Sequence, residues 1–227
     1  MLRVELAGWT AAFSECADGD LRVSARSAQA EPLADVQRRV LAALGVAGAA
    51  VARQVHGSTV IALAQAPRGY RVGVGVGEGD GVATALPGVA VAVHVADCLP
   101  IAVGGAAAVA MLHGGWRGLA GGIVGEGVRA LRELGAAGPL AAVIGPGAGG
   151  CCYETGDEVR ARFAGHAAAH GRLLDLKAIA AAQLHEAGVA SVADVGVCTI
   201  CAAAGTVWSH RREGPATGRQ GGYAWRA

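Results

Sequence analysis

The sequence predicts a layered fold, α/β or α+β, in which helices cover β-sheets. Short runs rich in Val and Ile recur along the chain, several of them apolar on both faces, and stripes of apolar residues at helical spacing lie between them. With 227 residues, 53% of them hydrophobic, the chain can bury a sizeable core. It contains no internal repeat and no linker long enough to divide it, so a single domain over residues 1–227 is expected.

The elements follow in order. Val36, Val40, Leu41 and Leu44 mark a first helical stripe. Val51 to Ile61, Val89 to Ala96 and Ala106 to His113 read as buried strands bounded by Gly, Pro or Asp, and Gly73 to Gly81 as a mobile loop ahead of Asp80. A glycine-rich turn then opens a helix carrying Leu119, Ile123, Val124, Val128, Leu131 and Leu134, which stops at Gly135. Leu140 to Ile144 is the next strand, Leu176, Ile179, Ala180, Gln183 and Leu184 mark another helix, and Val192 to Thr199 the last strand.

A formal charge of +1 with 16% charged residues, Lys177 being the sole lysine, provides no field to hold nucleic acid or an anionic membrane. The amino-terminal segment is broken by Arg3 and Glu5, and no apolar stretch reaches the roughly 20 residues of a bilayer span. A cytoplasmic protein is therefore expected. In that reducing setting the six cysteines are expected as thiols or ligands, not disulfides.

Three apolar runs each end in a metal-binding residue followed by Gly or Pro: Gln54-Val55-His56-Gly57, Ala96-Asp97-Cys98-Leu99-Pro100 and Met111-Leu112-His113-Gly114-Gly115. Strand ends of this kind gather ligand sites in layered folds. His56, Cys98 and His113 together would leave the fourth position of a tetrahedral ion open, which separates catalytic from structural zinc. After His113, Trp116-Arg117-Gly118 exposes a guanidinium at the start of a helix, suited to an anion such as phosphate.

Other motifs are weaker. Gly145, Gly147 and Gly150 satisfy G-x-G-x-x-G in form, but Pro146 and Cys151-Cys152 make a poor dinucleotide turn. Cys198-Thr199-Ile200-Cys201 has the spacing of a zinc knuckle or redox pair, and Cys151-Cys152 could complete four thiolates; with no second C-x-x-C, buried thiols are expected. Ser209 to Gly214 and Thr217 to Arg219 concentrate cations, either as a solvated loop or as an anion clamp.

Taken in order, QVHG (54–57), GDGVAT (79–84), ADCLPIAV (96–103), HGGWRGLAGGIV (113–124), IGPGAGGCCYETGDEV (144–159), CT (198–199) and SHRREG with TGR (209–219) resemble the laccase-domain, or multicopper polyphenol oxidoreductase, family. The resemblance implies a compact α+β fold whose mixed sheets form a sandwich-like core flanked by helices. It implies a metal site of His56, Cys98 and His113. Around such a site the chain's own residues lead us to expect catalysis by Cys98, His113, Asp97 and Arg117, and substrate binding by Gln54, Gly115, Arg117, Arg211 and Arg212. The implied activity is zinc-dependent purine nucleoside phosphorolysis, with adenosine deamination and methylthioadenosine phosphorolysis. Its substrates are then a purine nucleoside and phosphate, and its ion Zn2+, with Cu2+ the alternative. Three other readings stand beside it: a Cys-His amide hydrolase editing peptidoglycan precursors, a copper-dependent polyphenol oxidase, and a non-catalytic metal-binding module. The chain departs from the family pattern between residues 12 and 40, where the GG-x-S loop and LNL segment are missing, and at His210, which replaces an aromatic.

Overall fold

The apolar runs pair into two six-stranded mixed sheets. In spatial order the first holds Leu2–Leu6, Trp9–Phe13, Gln220–Trp225, Val89–Val95, Gly48–Val51 and Gly69–Val72; the second holds Ser191–Asp194, Ala141–Ile144, Leu99–Gly104, Val109–Gly114, Gly81–Thr84 and Val60–Ala62. Gly48–Val51 runs parallel to both of its neighbours, whereas Val89–Val95 pairs antiparallel with Gln220–Trp225. The structure is a computed structural model and describes residues 1–23, 31–73, 76–164, 166 and 169–227. The centre of the loop expected over 73–81, and residues 24–30 of the divergent amino-terminal segment, lie outside the described residues.

Side chains alternate across each strand, so a strand buried on both faces feeds two cores. Val91, Val93 and Val95 meet Ala102, Val109, Met111 and Val143 between the sheets. Ala90 and Ala92 face the other way, where helix Leu33–Leu44 packs through Val36, Val40 and Leu44. Beyond the second sheet, Leu99, Ile101 and Leu112 pack under helices Ile123–Glu133 and Leu176–Glu186. The result is the expected α+β sandwich flanked by helices, in four layers. Each large aliphatic residue buried this way contributes roughly 1.5–3 kcal/mol. The sheets approach so closely at Gly222 that a Cβ there would stand 2.5 Å from Pro100 Cβ.

The structure corrects several element boundaries. Val51 to Ile61 is not one strand: Gly48–Val51 belongs to the first sheet and Val60–Ala62 to the second, and the chain crosses between them through His56. The run Val192 to Thr199 leaves its ladder at Asp194. The long helix divides into Trp116–Ala120 and Ile123–Glu133, because Gly122 adopts φ 85°, which no helix accommodates. The strand Gln220–Trp225 was not foreseen. Among the described residues, no helix is long and apolar enough to cross a membrane.

Candidate metal centre

Two of the three expected ligands sit where the chain passes from sheet to sheet, His56 on the first crossing and Cys98 between Val89–Val95 and Leu99–Gly104; His113 ends the strand Val109–Gly114. Both crossings are backbone-strained. His56 (φ 61°) and Asp97 (φ 85°) are the non-glycine residues with positive φ among those described, a conformation of the kind that clusters at functional sites.

One ligand atom from each of His56, Cys98 and His113 lies within 4.8 Å of the others, and the two imidazole rings stand edge to face with centroids 4.8 Å apart. Gly115 keeps the space beside them clear. A Cβ at that position would lie 3.1 Å from Cys98 Sγ, 3.5 Å from His56 Cδ2 and 3.9 Å from His113 Nε2. Donor chemistry and clearance together fit a transition ion such as zinc.

Asp80, fully buried and absent from the sequence-based site, organises this cluster. Its carboxylate accepts hydrogen bonds from the backbone N–H groups of Val55 (3.2 Å), His56 (2.9 Å) and Gly57 (2.6 Å). The Nδ1 of His113 lies 2.8 Å from Asp80 Oδ1, so Nδ1 donates there and Nε2 is left to face Cys98. Burial works against the Asp80 charge, but the bond from His113 and the backbone donors hold its carboxyl below the usual range. Burial also opposes ionisation of Cys98, whose thiol the charge of His113 and hydrogen bonds from both histidines nevertheless pull down to about 6. His113 is pushed up to about 9 against the cost of burial, by Cys98 first and then Asp80. The two shifts share a cause: the charged form of each side chain favours the charged form of the other.

His56, Cys98 and His113 open into a cavity of about 690 Å³, within the range of small-molecule sites. Trp116 and Tyr153 supply aromatic walls, and Arg117, Arg211 and Arg219 supply positive charge. The Arg117 guanidinium stacks 4.2 Å from the Trp116 ring centroid, and that of Arg211 lies 5.1 Å from Tyr153. His94 also lines the cavity and pairs with the Tyr70 hydroxyl at 2.8 Å; burial and the charge of Arg219 lower it to about 4, so its ring is neutral.

The remaining expected residues divide. Gln54 lines the cavity and clamps the first crossing to the backbone of His94, donating from Nε2 at 3.0 Å and accepting at Oε1 at 2.8 Å. Asp97 is tied up by the Thr199 hydroxyl (2.6 Å) and the Arg211 N–H (2.6 Å). Arg212 is not at the cavity: its guanidinium is spent on the carbonyls of Thr199, Ala202 and Val207 and on Glu213. Sequence reasoning did not single out Asp80, His94 or Tyr153, the acid within GDGVAT being the visible trace of the first, whereas Arg219 lies in the cation-rich segment read as a solvated loop or an anion clamp and lines the cavity. Against the expectation of separate thiols, Cys152 and Cys201 stand as a disulfide, because the loops that follow Gly147 and Val197 run side by side.

Residues 21–227 match the sequence profile of the family described as multi-copper polyphenol oxidoreductase laccase. The purine nucleoside phosphorylase of Streptomyces coelicolor is 41% identical over 211 residues, 86% of this chain and 84% of that protein. That of Deinococcus radiodurans is 36% identical over 213 residues, 88% and 79% of the two chains. The crystal structure of YlmD from Geobacillus stearothermophilus superposes with a TM-score of 0.82 at 28% identity, covering 97% of this chain and 92% of the other. The chain belongs to the multi-copper polyphenol oxidoreductase laccase family.

Proposed function

We propose that this protein is a zinc-dependent purine nucleoside phosphorylase that also deaminates adenosine and phosphorolyses methylthioadenosine. One observation carries the reading: two imidazoles and a thiolate face one cleared point in a cavity with aromatic walls and guanidinium groups. Relatives named purine nucleoside phosphorylase support it. The mixed nitrogen and sulfur donor set suits Zn2+, with Cu2+ the alternative ion. A laccase that reduces oxygen works with several copper centres, and this cavity offers one ligand set. A reducing cytoplasm keeps Cys98 from being oxidised and so available as a ligand.

Asp80 fixes the tautomer and orientation of His113 and the entry of the His56 loop, so the donor atoms are held before substrate arrives. Trp116 and Tyr153 offer planar contact to a purine, while Arg117 and Arg211 hold phosphate against the sugar as the glycosidic bond breaks and the base departs. Asp97 acts through position, keeping the Arg211 backbone beside the cavity. A zinc ion held by His56, Cys98 and His113 would supply a polarising charge and lower the pKa of a bound water towards roughly 7, as adenine deamination requires.

The Cys98–His113 charge pair favours a second reading, in which Cys98 attacks an amide of a peptidoglycan precursor. One experiment separates the two. Adenosine, inosine and methylthioadenosine are incubated with metal-replete and chelator-treated protein, with and without phosphate, and the products are separated by chromatography. Phosphate-dependent release of free base and phosphate-independent formation of inosine, both lost on chelation, are expected. Full nucleoside turnover by metal-free protein would overturn the reading, and a trapped Cys98 acyl-enzyme would establish its rival.

A further inference from the structure

Away from the cavity, four cysteines from two loops converge: Cys151 and Cys152 after Gly150, and Cys198 and Cys201 in the turn that follows Ser191–Asp194. We propose that Cys151, Cys152, Cys198 and Cys201 form a second metal site, a closed tetrathiolate for zinc that braces the loops behind the cavity. The four sulfurs all lie within 4.8 Å of one another. Zinc–sulfur bonds of about 2.3 Å place tetrahedral ligands roughly 3.8 Å apart, so little movement separates this cluster from a filled site. A disulfide accounts for two of the four and leaves Cys151, which touches Cys201 at 3.3 Å, and Cys198 without a role. The Cα atoms of Cys152 and Cys201 are 7.0 Å apart, at the outer limit of what a disulfide ordinarily spans.

The C-x-x-C turn is folded as a metal knuckle. Cys198 Sγ accepts the backbone N–H of Gly149 at 3.3 Å. A backbone N–H donated to this sulfur favours a thiolate there, the form in which cysteine binds zinc. Gly149 makes room for the cluster, since a Cβ on it would lie 3.3 Å from the sulfurs of both Cys151 and Cys198. The loops are already aligned by the Thr199 N–H to Gly147 carbonyl bond (3.0 Å) and the parallel bridge between Gly147 and Cys198.

Four protein ligands leave no position for substrate, so the role is structural. The beneficiaries are the neighbours in each loop: Tyr153, which follows Cys152 and lines the cavity, and Thr199, whose hydroxyl holds Asp97. From the oxidised form, a dithiol reductant delivers two electrons and two protons to the Cys152–Cys201 bond. The four thiols then release four protons as zinc binds, giving a site of net charge −2.

The test is made on full-length protein purified anaerobically with a dithiol reductant. Elemental analysis should find two zinc ions per chain in the wild type, and one in the His56→Ala/His113→Ala variant, which lacks the cavity site. Cobalt added to that variant should give the intense sulfur-to-metal charge-transfer spectrum of a tetrathiolate, and Cys198→Ser/Cys201→Ser in the same background should abolish it. In case the cysteine variants do not fold, alkylation of the His56→Ala/His113→Ala protein gives an independent measure: zinc should shield these four cysteines and a chelator expose them. A reduced His56→Ala/His113→Ala protein that binds neither zinc nor cobalt, or alkylates equally with and without zinc, would overturn the proposal without bearing on the cavity site.

Discussion

Asp80→Asn tests the claim that one buried carboxylate assembles the cavity site. Oδ1 accepts from His56 N and His113 Nδ1 at 2.9 and 2.8 Å, and Oδ2 from Gly57 N and Val55 N at 2.6 and 3.2 Å. Asparagine presents an oxygen to one of these pairs and an NH2 to the other, whichever way it is turned. Two bonds to a charged acceptor are lost, at about 1.5–3 kcal/mol each, or roughly 3–6 kcal/mol before relaxation. That is a large share of the 5–15 kcal/mol that holds a typical domain together, so the variant should unfold at much lower denaturant concentration. The metal should also be held about 10- to 100-fold more weakly, because His113 loses the partner that orients it. Urea unfolding of metal-free protein reads the first effect and chelator competition the second. Unchanged values for both would refute the assignment of Asp80 as the organiser of the His56 loop and His113.

Other consequences are open to direct measurement. Arg117→Ala should slow phosphate-dependent cleavage by the equivalent of about 1.5–3 kcal/mol while sparing deamination, and equal losses in parallel assays of the two reactions would assign Arg117 to the shared pocket. Cys98→Ser should lose metal and nucleoside turnover together, since a hydroxyl is a poor zinc donor at neutral pH; lost turnover with metal retained in elemental analysis would point to a nucleophile. Gly115→Ala places a methyl group beside Cys98 Sγ and should weaken metal binding by about tenfold in chelator competition, with a much smaller change in unfolding. His94 is lowered in the folded state to about 4, below its unfolded value, so its contribution is present at neutral pH and is lost as pH falls from about 6.5 towards 4. Unfolding of wild type and His94→Gln across that window should show the wild type losing roughly 2 kcal/mol more, once contact with solvent in the cavity is discounted.

The His56, Cys98 and His113 cluster was legible because each of these residues ends an apolar run at Gly or Pro, a pattern that a chain crossing between sheets produces locally. The crossing itself was not legible. Val55, Val60 and Ile61 are β-branched and mimic one continuous strand through His56, and only the pairing of Val60 with Gly81 shows that the chain has changed sheets. Asp80 was invisible for a related reason: its partners lie 23 to 33 residues away, and a lone acid in a glycine-rich loop carries no local sign of them. Arg211 and Arg212 are indistinguishable as a pair of cations, yet one turns to the cavity and the other to three carbonyls. The helical stripes read correctly where packing set them, and failed where Gly122 broke the backbone without disturbing the apolar spacing.

The placement of Gln220–Trp225 bears on how the molecule is made. This strand is the interior partner of both Trp9–Phe13 and Val89–Val95, so the first sheet is two separate pieces until residues near 225 have left the ribosome. During synthesis Val89–Val95 therefore carries an open edge, with apolar side chains on both faces and no charged residue to discourage a neighbouring chain. A chain that lacks residues 220–225 exposes that ladder, the kind of open apolar edge that pairs with neighbouring chains.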